Sequence, residues 1–300
     1  MRSDIKIFSG SSNPELAKKV CLSLNKELSK LEITRFKDGE ISVFVPEDVR
    51  FCRCFVVQSL CNPVNDNLME LLITVDALKR SHASEIVAII PYFGYSRQER
   101  RCRIGEPISA KVVSKIISDS GIDSIVVIDL HANQIEGFFS VPVYNISNFE
   151  NFIEDIRKIE GFNSDDFVIV APDVGAAKRT RAFSKNLNCN MAIIDKHREK
   201  ANCSEVMNII GDVSSKSVIL IDDIIDTAGT ISNAAESLVK AGAKDVYIYA
   251  THAVCSGQAF QRLSSPYIKQ IVFSDSIPLK ENLTNIKVLS LAKTISSYVF

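Results

Sequence analysis

The chain has 300 residues, of which 46% are hydrophobic and 24% charged, so it holds enough apolar side chains for one large or two medium cores. This composition excludes a disordered or fibrous protein. Lys and Arg number 35 and Asp and Glu 36, which leaves a net charge of -1. The net charge therefore provides no long-range attraction for nucleic acid or an anionic membrane. Any anion that the protein binds must be held by a local site.

The start of the chain and its cysteines predict a cytoplasmic location. No apolar run approaches the roughly 20 residues that span a bilayer, and residues 1–4 lead into a strand-like segment instead of a secretory signal. The eight cysteines are scattered and form no CxxC pair. We therefore expect reduced thiols and no zinc site, and no membrane or nucleic-acid partner.

Short β-branched runs alternate with longer helical patterns almost throughout the chain, which predicts βαβ units with buried parallel strands. A helix is predicted to begin at Pro14, after an Asn13 cap, and another covers Leu68 to Lys79. The fold class is therefore α/β. The predicted strands are 5–8, 55–58, 86–90, 125–128, 167–170, 191–194, 218–221, 246–249 and 271–273.

The two halves of the chain show a weak internal repeat, because the order of strands and helices from 5 to 87 returns from 167 to 247. Two similar lobes of the usual domain size follow, with a seam near 146–151. We place the lobes at 1–147 and 148–300.

The two lobes differ in the residues that follow their central strands. Asp222 and Asp223 in the second lobe correspond to Gln58 and Ser59 in the first. Ligands of open α/β sheets bind beyond the carboxyl ends of the strands. The difference at these positions therefore predicts that the two lobes have different roles.

The most informative string runs from Val218 to Thr230, where a buried strand leads to two carboxylates, a turn of small and hydroxyl residues, and a helix. Backbone N–H groups, threonine hydroxyls and the helix dipole can hold a phosphate there, while the carboxylates suit vicinal hydroxyls or a bridging cation. Together they predict a sugar-phosphate site. An acidic turn with a threonine cap is the alternative, and no Gly-Lys-Thr or Gly-Lys-Ser of a Walker A loop is present.

This string resembles the phosphoribosyl diphosphate signature of the type I phosphoribosyltransferase fold. A second string, residues 129–139, resembles the signature of the ribose-phosphate diphosphokinases, and the likeness extends over nearly the whole chain. The resemblance implies two tandem phosphoribosyltransferase-like lobes, the first on the ATP side and the second on the ribose 5-phosphate side. It also implies an enzyme that transfers the β,γ-diphosphoryl group of ATP to the anomeric hydroxyl of ribose 5-phosphate.

The resemblance further implies roles for individual residues. Magnesium (Mg2+) is expected on His131 and Asp173. Lys196 and Arg198 are expected in a mobile catalytic loop. The residues expected to bind ATP are Phe36, Asp38, Gly39, Glu40, Arg97 and Gln98. Those expected to bind ribose 5-phosphate are Arg198, Asp222, Asp223, Asp226, Thr227, Ala228, Gly229 and Thr230.

Some positions depart from the family pattern. Ala176 and Glu99 replace a usual Gly and a usual Asp, and apolar residues within 42–51 leave phosphate activation open. The alternatives are a phosphoribosyltransferase that consumes the diphosphate product, or a non-catalytic regulatory homologue. The resemblance alone also implies a homo-oligomer, commonly a hexamer.

Overall fold

A computed structural model of the chain describes residues 4–197 and 206–299. The described strands are β1 (Ile5–Ser9), β2 (Glu32–Arg35), β3 (Ile41–Phe44), β4 (Arg53–Val57), β5 (Glu85–Ile90), β6 (Ser124–Ile128), β7 (Val143–Ile146), β8 (Phe167–Ala171), β9 (Asn190–His197), β10 (Val206–Ile210), β11 (Ser217–Ile225), β12 (Asp245–Ala253), β13 (Gln270–Ser274) and β14 (Ile286–Leu289). The described helices are α1 (Pro14–Ser23), α2 (Val64–Arg80), α3 (Ser109–Asp119), α4 (Phe149–Ile156), α5 (Ala177–Leu187), α6 (Gly229–Lys240), α7 (Ala259–Leu263) and α8 (Ala292–Ser296). The predicted α/β class is confirmed.

The described residues form two compact units, one of 4–147, 275–278 and 290–299, the other of 148–274 and 279–289. The sheet of the first unit has five parallel strands in the order β1-β4-β5-β6-β7, and β2 pairs with β3 as a separate antiparallel hairpin. The sheet of the second unit has seven strands in the order β10-β9-β8-β11-β12-β13-β14. Its pairs are parallel except that of β10 with β9.

The predicted duplication is visible in the strand order, because β1-β4-β5-β6-β7 matches β8-β11-β12-β13-β14 element by element. Arg53 of β4 and Ser217 of β11 occupy the same register position, since each pairs with the first residue of the strand on both sides. Residues 58–59 follow Arg53 at the same distance along the chain as residues 222–223 follow Ser217. The two pairs of residues therefore lie at equivalent positions in the two sheets. The register therefore supports the correspondence that the sequence suggested.

The central strand of the second unit is buried on both faces, as a parallel strand between helices requires. Successive side chains point to opposite faces. Val218 and Leu220 pack in the cluster that contains Leu238 of α6, whereas Ile219 and Ile221 pack in the cluster that contains Phe183 of α5. By this alternation, Asp222 faces the α6 side and Asp223 the α5 side.

In the first unit, the position equivalent to the acidic pair is filled by internal hydrogen bonds. Gln58 and Ser59 are buried. Gln58 Nε2 donates to Glu70 Oε1 at 2.9 Å, and the Ser59 hydroxyl donates to the Ser276 carbonyl at 2.5 Å. A Cβ on Gly10 would lie 2.1 Å from Gln58 Oε1, so the close approach requires glycine. These polar groups hold the unit together.

The segment 290–299 packs in the core of the first unit. Asp275 Oδ1 accepts a hydrogen bond from the Leu291 N–H at 2.7 Å, and Asp275 Oδ2 lies 2.9 Å from Lys19 Nζ of α1. Four side chains from this segment are buried in one cluster with residues of α1 and β4, namely Leu291, Ala292, Ile295 and Val299. In 4–197 and 206–299, no helix is long and apolar enough to cross a membrane.

Candidate functional site

Strand β11 extends beyond its neighbour β8, and the acidic pair lies on this extension. The last residue of β11 that pairs with β8 is Leu220, whereas pairing with β12 continues to Ile225. Asp222 is half-buried and Asp223 is buried with 7% exposure. The two carboxylates therefore sit at the carboxyl edge of the sheet, where α/β folds bind ligands.

The two carboxylates have different environments. Arg179 of α5 lies 3.0 Å from Asp223 Oδ1, on the face that the strand alternation predicts. The Asp223 N–H donates to Asp222 Oδ1 at 2.9 Å. Burial, followed by the charge of Asp223, raises the pKa of Asp222 to about 8. The pair therefore carries one carboxylate that is balanced by an arginine and a second that takes up a proton readily.

The turn after β11 is bonded to the segment that follows β12. The Cys255 N–H donates to the Ile225 carbonyl at 3.0 Å, and the Ser256 N–H donates to the Asp226 carbonyl at 3.1 Å. The Ser256 hydroxyl also donates to the Asp226 carboxylate. Asp226 is thereby fixed within the turn as a hydrogen-bond acceptor.

Helix α6 begins at Gly229, and its N-cap residue is Ala228 in the left-handed conformation, with φ 59° and ψ 6°. Ala228 has no side-chain oxygen, so it provides no capping hydrogen bond to the first N–H groups of the helix. Thr227 and Thr230 beside it are exposed. Uncapped N–H groups, the positive end of the helix dipole and two hydroxyls make this turn suitable for a phosphate.

Asp173 follows β8 at the same edge of the second sheet. Its Oδ1 accepts from the Ala176 N–H at 3.0 Å and caps the short 3-10 turn Val174–Ala176. The side chain is exposed. A capping carboxylate at a strand end can also offer oxygen to a hard divalent cation.

The first four predicted ATP residues lie at the tip of the β2–β3 hairpin. The Phe36 N–H donates to the Glu40 carbonyl at 2.9 Å, and the Gly39 N–H donates to the Phe36 carbonyl at 3.0 Å. Gly39 has φ 96°, and Asp38 Oδ1 accepts from the Glu40 N–H at 3.1 Å. Phe36 as a residue is 59% exposed, which leaves it accessible to stack on a ligand.

Arg97 and Gln98 lie in the loop between β5 and α3 and are exposed. Gln98 Oε1 accepts from the Ser109 hydroxyl at 2.6 Å, and the Gln98 carbonyl accepts from the Ala110 N–H at 3.3 Å. Both bonds attach the loop to the first turn of α3. Gln98 is therefore held by the helix that follows it.

His131 lies after β6 and is exposed. The preceding Asp129 has φ 41°, and its carboxylate accepts from the Ser147 hydroxyl at 3.1 Å. Within residues 4–197 and 206–299, no three His, Cys, Asp or Glu side chains are grouped closely enough to hold a metal ion.

Of the two predicted catalytic residues, Lys196 lies in β9, where its backbone pairs with Met207 of β10. Arg198 lies outside the described residues.

Three residues near the site were not predicted from the sequence, namely Arg179, Ser256 and Arg262. Arg179 contacts Asp223, and Ser256 holds Asp226 as described above. Arg262 Nη1 donates to the Thr227 carbonyl at 2.7 Å. All three are distant in sequence from the turn, and only the parallel sheet brings them to it. The order of strands was the one signal that could have suggested them.

The duplicated α/β topology, with two carboxylates and a helix N-terminus after the central strand of one unit, defines a protein of the phosphoribosyltransferase-like fold class.

Comparison with known proteins gives the family. Residues 5–121 match the family described as the N-terminal domain of ribose phosphate pyrophosphokinase, and residues 201–299 match the phosphoribosyl synthetase-associated domain. A ribose-phosphate pyrophosphokinase of Campylobacter jejuni is 52% identical over 294 residues, covering 98% of this chain and 94% of the relative. One of Fusobacterium nucleatum is 48% identical, covering 99% and 94%.

A solved structure gives the same result. The phosphoribosylpyrophosphate synthetase of Mycobacterium smegmatis superposes with a TM-score of 0.93 at 37% identity, covering 99% of this chain and 98% of that one. The chain belongs to the ribose-phosphate pyrophosphokinase family. The resemblance stated from residues 129–139 and 218–230 is therefore confirmed.

Proposed function

We propose that this chain is an enzyme that transfers the β,γ-diphosphoryl group of ATP to the anomeric hydroxyl of ribose 5-phosphate. The anomeric oxygen bonds to the β-phosphorus, the bond from that phosphorus to the α,β-bridging oxygen breaks, and the hydroxyl proton is lost. The products are AMP and 5-phosphoribosyl 1-diphosphate. The observation that carries the proposal is the acidic pair and uncapped turn at 222–230, in a chain about half identical to named pyrophosphokinases.

The second unit holds the sugar phosphate in this proposal. The N–H groups and hydroxyls of 227–230 bind the 5-phosphate, because the start of α6 offers donors and a positive dipole end. Asp222 and Asp223 accept hydrogen bonds from the ribose hydroxyls. Asp226 supports the turn through Ser256.

The first unit holds ATP. Phe36 stacks on the adenine ring, and Asp38, Gly39 and Glu40 shape the hairpin tip around it. The further ATP residues are Arg97 and Gln98. A guanidinium on the phosphates and an aromatic face on the base are the chemistry that a nucleoside triphosphate requires.

Magnesium is the proposed metal, with His131 and Asp173 as its protein ligands. The donor set fits in part: Asp173 supplies the carboxylate oxygen that Mg2+ prefers, whereas an imidazole is a less usual partner. When bound, the ion would neutralise charge on the triphosphate during transfer.

Lys196 and Arg198 are proposed to place positive charge over the transferred group. Such a contact acts on the transition state more than on the bound sugar phosphate. We therefore expect Lys196→Ala to lower kcat by about 100-fold or more while leaving the KM for ribose 5-phosphate nearly unchanged. Steady-state kinetics checks this, and near-normal turnover would remove Lys196 from the catalytic set.

We further propose a cytoplasmic homo-oligomer, commonly a hexamer in the family, with no nucleic-acid or membrane partner. The cysteines of the described residues are free thiols, all buried except Cys102. Free thiols suit a reducing compartment.

The reaction products test the proposed function. Pure protein is incubated with magnesium, ATP and ribose 5-phosphate, and the nucleotides and sugar phosphates are separated. AMP and 5-phosphoribosyl 1-diphosphate in equal amounts are expected. ADP with a ribose bisphosphate would indicate transfer of a single phosphoryl group and contradict diphosphoryl transfer. An absence of turnover would contradict the assignment as an enzyme. As a control, the protein is given the diphosphate product with adenine, where no nucleotide should form.

A further inference from the structure

The side chain of Arg262, near the end of α7, reaches the proposed phosphate turn. Its Nη1 atom donates to the Thr227 carbonyl at 2.7 Å. A Cβ placed on Gly229 would lie 3.5 Å from the same nitrogen. Helix α7 is fixed beneath the turn, because Ala259 and Leu263 are fully buried in the cluster that also contains the turn residue Ala228. The backbone of Arg262 is therefore held in place by the packing of α7.

The turn needs such support because its conformation is unfavourable. Ala228 has φ 59°, in the left-handed region, which is sterically unfavourable for a residue with a Cβ. The hydrogen bonds from Ser256 hold Asp226, at the start of the turn. Arg262 holds the next residue, Thr227, directly beside the strained position.

The bond from Arg262 fixes the orientation of one peptide plane. The Thr227–Ala228 peptide is trans, so the Thr227 carbonyl and the Ala228 N–H point in opposite directions. While Arg262 holds the carbonyl on its own side, the N–H is presented on the other. If this peptide rotated by half a turn, the carbonyl oxygen would replace the N–H and would repel a phosphate there.

We infer that Arg262 is a positioning residue for the phosphate group of the sugar phosphate, acting through the Thr227–Ala228 peptide. The inference rests on the proposed function of the turn and adds a residue from outside it. Its guanidinium also adds positive charge beside the helix N-terminus, which favours the same anion. The role concerns binding of the phosphate and leaves the transferring atoms untouched.

Arg262→Met tests the inference, because methionine keeps most of the apolar stem and removes every donor. A hydrogen bond from a charged group is worth about 1.5–3 kcal/mol, so the KM for ribose 5-phosphate should rise about 10-fold or more. The KM for ATP and kcat should change little, since binding energy common to the ground and transition states of the sugar phosphate is removed. Arg262→Lys, which retains a donor, should recover most of the loss.

Arg157→Met is the matched control. Arg157 is exposed, lies in the same unit and donates from Nη2 to the Asn186 carbonyl at 3.2 Å, so the control removes the same kind of bond away from the turn. Its KM for ribose 5-phosphate should match the wild type.

The outcomes separate the inference from the proposed function. If the wild type does not saturate with ribose 5-phosphate, the proposed function fails. If the wild type saturates and Arg262→Met has the same KM as Arg157→Met, the inference fails. If Arg262→Met is unstable, Arg262→Gln decides, because it removes the charged donor and shortens the side chain: a rise in the KM for ribose 5-phosphate alone supports positioning, and unchanged KM values contradict it. An equal rise in both KM values contradicts it.

Discussion

At the scale of residues, the two carboxylates after β11 differ in their charge balance, because Arg179 pairs with Asp223 whereas burial raises the pKa of Asp222. A buried apolar run followed by Asp222 and Asp223 marks the end of a parallel strand, which is information local to the chain. The ion pair of Asp223 with Arg179 depends on which face of β11 meets α5, and that requires the packed sheet. The raised pKa of Asp222 also follows from burial in the folded unit.

The pH dependence of stability tests the difference between the environments of Asp222 and Asp223. Because the pKa of Asp222 is raised in the folded protein, its contribution to stability is present at low pH and is lost as the pH rises through about 8. Asp222→Asn imitates the neutral carboxyl at every pH. We expect its melting temperature to exceed that of the wild type increasingly between about pH 4 and 8, and by a constant margin of about 2–4 °C or more above that. Its affinity for ribose 5-phosphate should fall.

Asp223→Asn provides the contrast for the same measurement. It removes the partner of a partly buried arginine, so it should lower the melting temperature throughout this range. If the melting temperatures of the wild type and Asp222→Asn changed with pH in the same way, this would contradict the proposed difference between the two carboxylates.

At the scale of elements, the sequence located the buried parallel strands, whereas β2, β3, β7, β10 and β14 were not among the predicted strands. The hairpin strands are four residues each and largely exposed or half-buried, so their apolar pattern is weak. Buried strands such as β4 and β11 carry continuous apolar runs that the sequence shows directly. Every interior strand of the two large sheets was therefore predicted, together with β1 at the edge of the first sheet.

The β2–β3 hairpin offers a matched pair of variants for the ATP proposal. Phe36 at the tip and Phe44 at the far end are each 59% exposed. Phe36→Ala should raise the KM for ATP about 10-fold, because stacking of a base on an aromatic ring is worth about 1–3 kcal/mol. The KM for ribose 5-phosphate and the melting temperature should remain near those of the wild type.

Phe44→Ala is the control for exposure and size and should leave the KM for ATP within about twofold of the wild type, since it removes no base stacking. Equal effects of the two substitutions on this KM would remove Phe36 from the nucleotide site.

At the scale of the whole molecule, the internal repeat predicted the duplicated sheet, and the strand register supports it. No sequence pattern indicated that residues 290–299 pack with the first unit. Helix α8 has five residues, and its short apolar pattern shows that one face is buried without showing against what. Contacts distant along the chain decide its place, as they do for Arg179 and Arg262.

Ile295→Ala tests the packing of this segment. Ile295 is fully buried in the cluster shared with α1, so the substitution should cost about 2–5 kcal/mol of unfolding free energy. Hydrogen exchange should accelerate in α1 and remain unchanged in α6 of the second unit. Lys293→Ala, at an exposed position of the same helix, should change neither. Faster exchange in α6 with normal protection of α1 would contradict this assignment.

A crystal structure of the protein with ribose 5-phosphate tests the proposed sugar-phosphate site most directly. We expect phosphate oxygens about 3 Å from the N–H groups of the 227–230 turn, with the ribose hydroxyls on Asp222 and Asp223. A sugar phosphate bound with its phosphate elsewhere, in a protein that binds it in solution, would contradict phosphate binding at this turn.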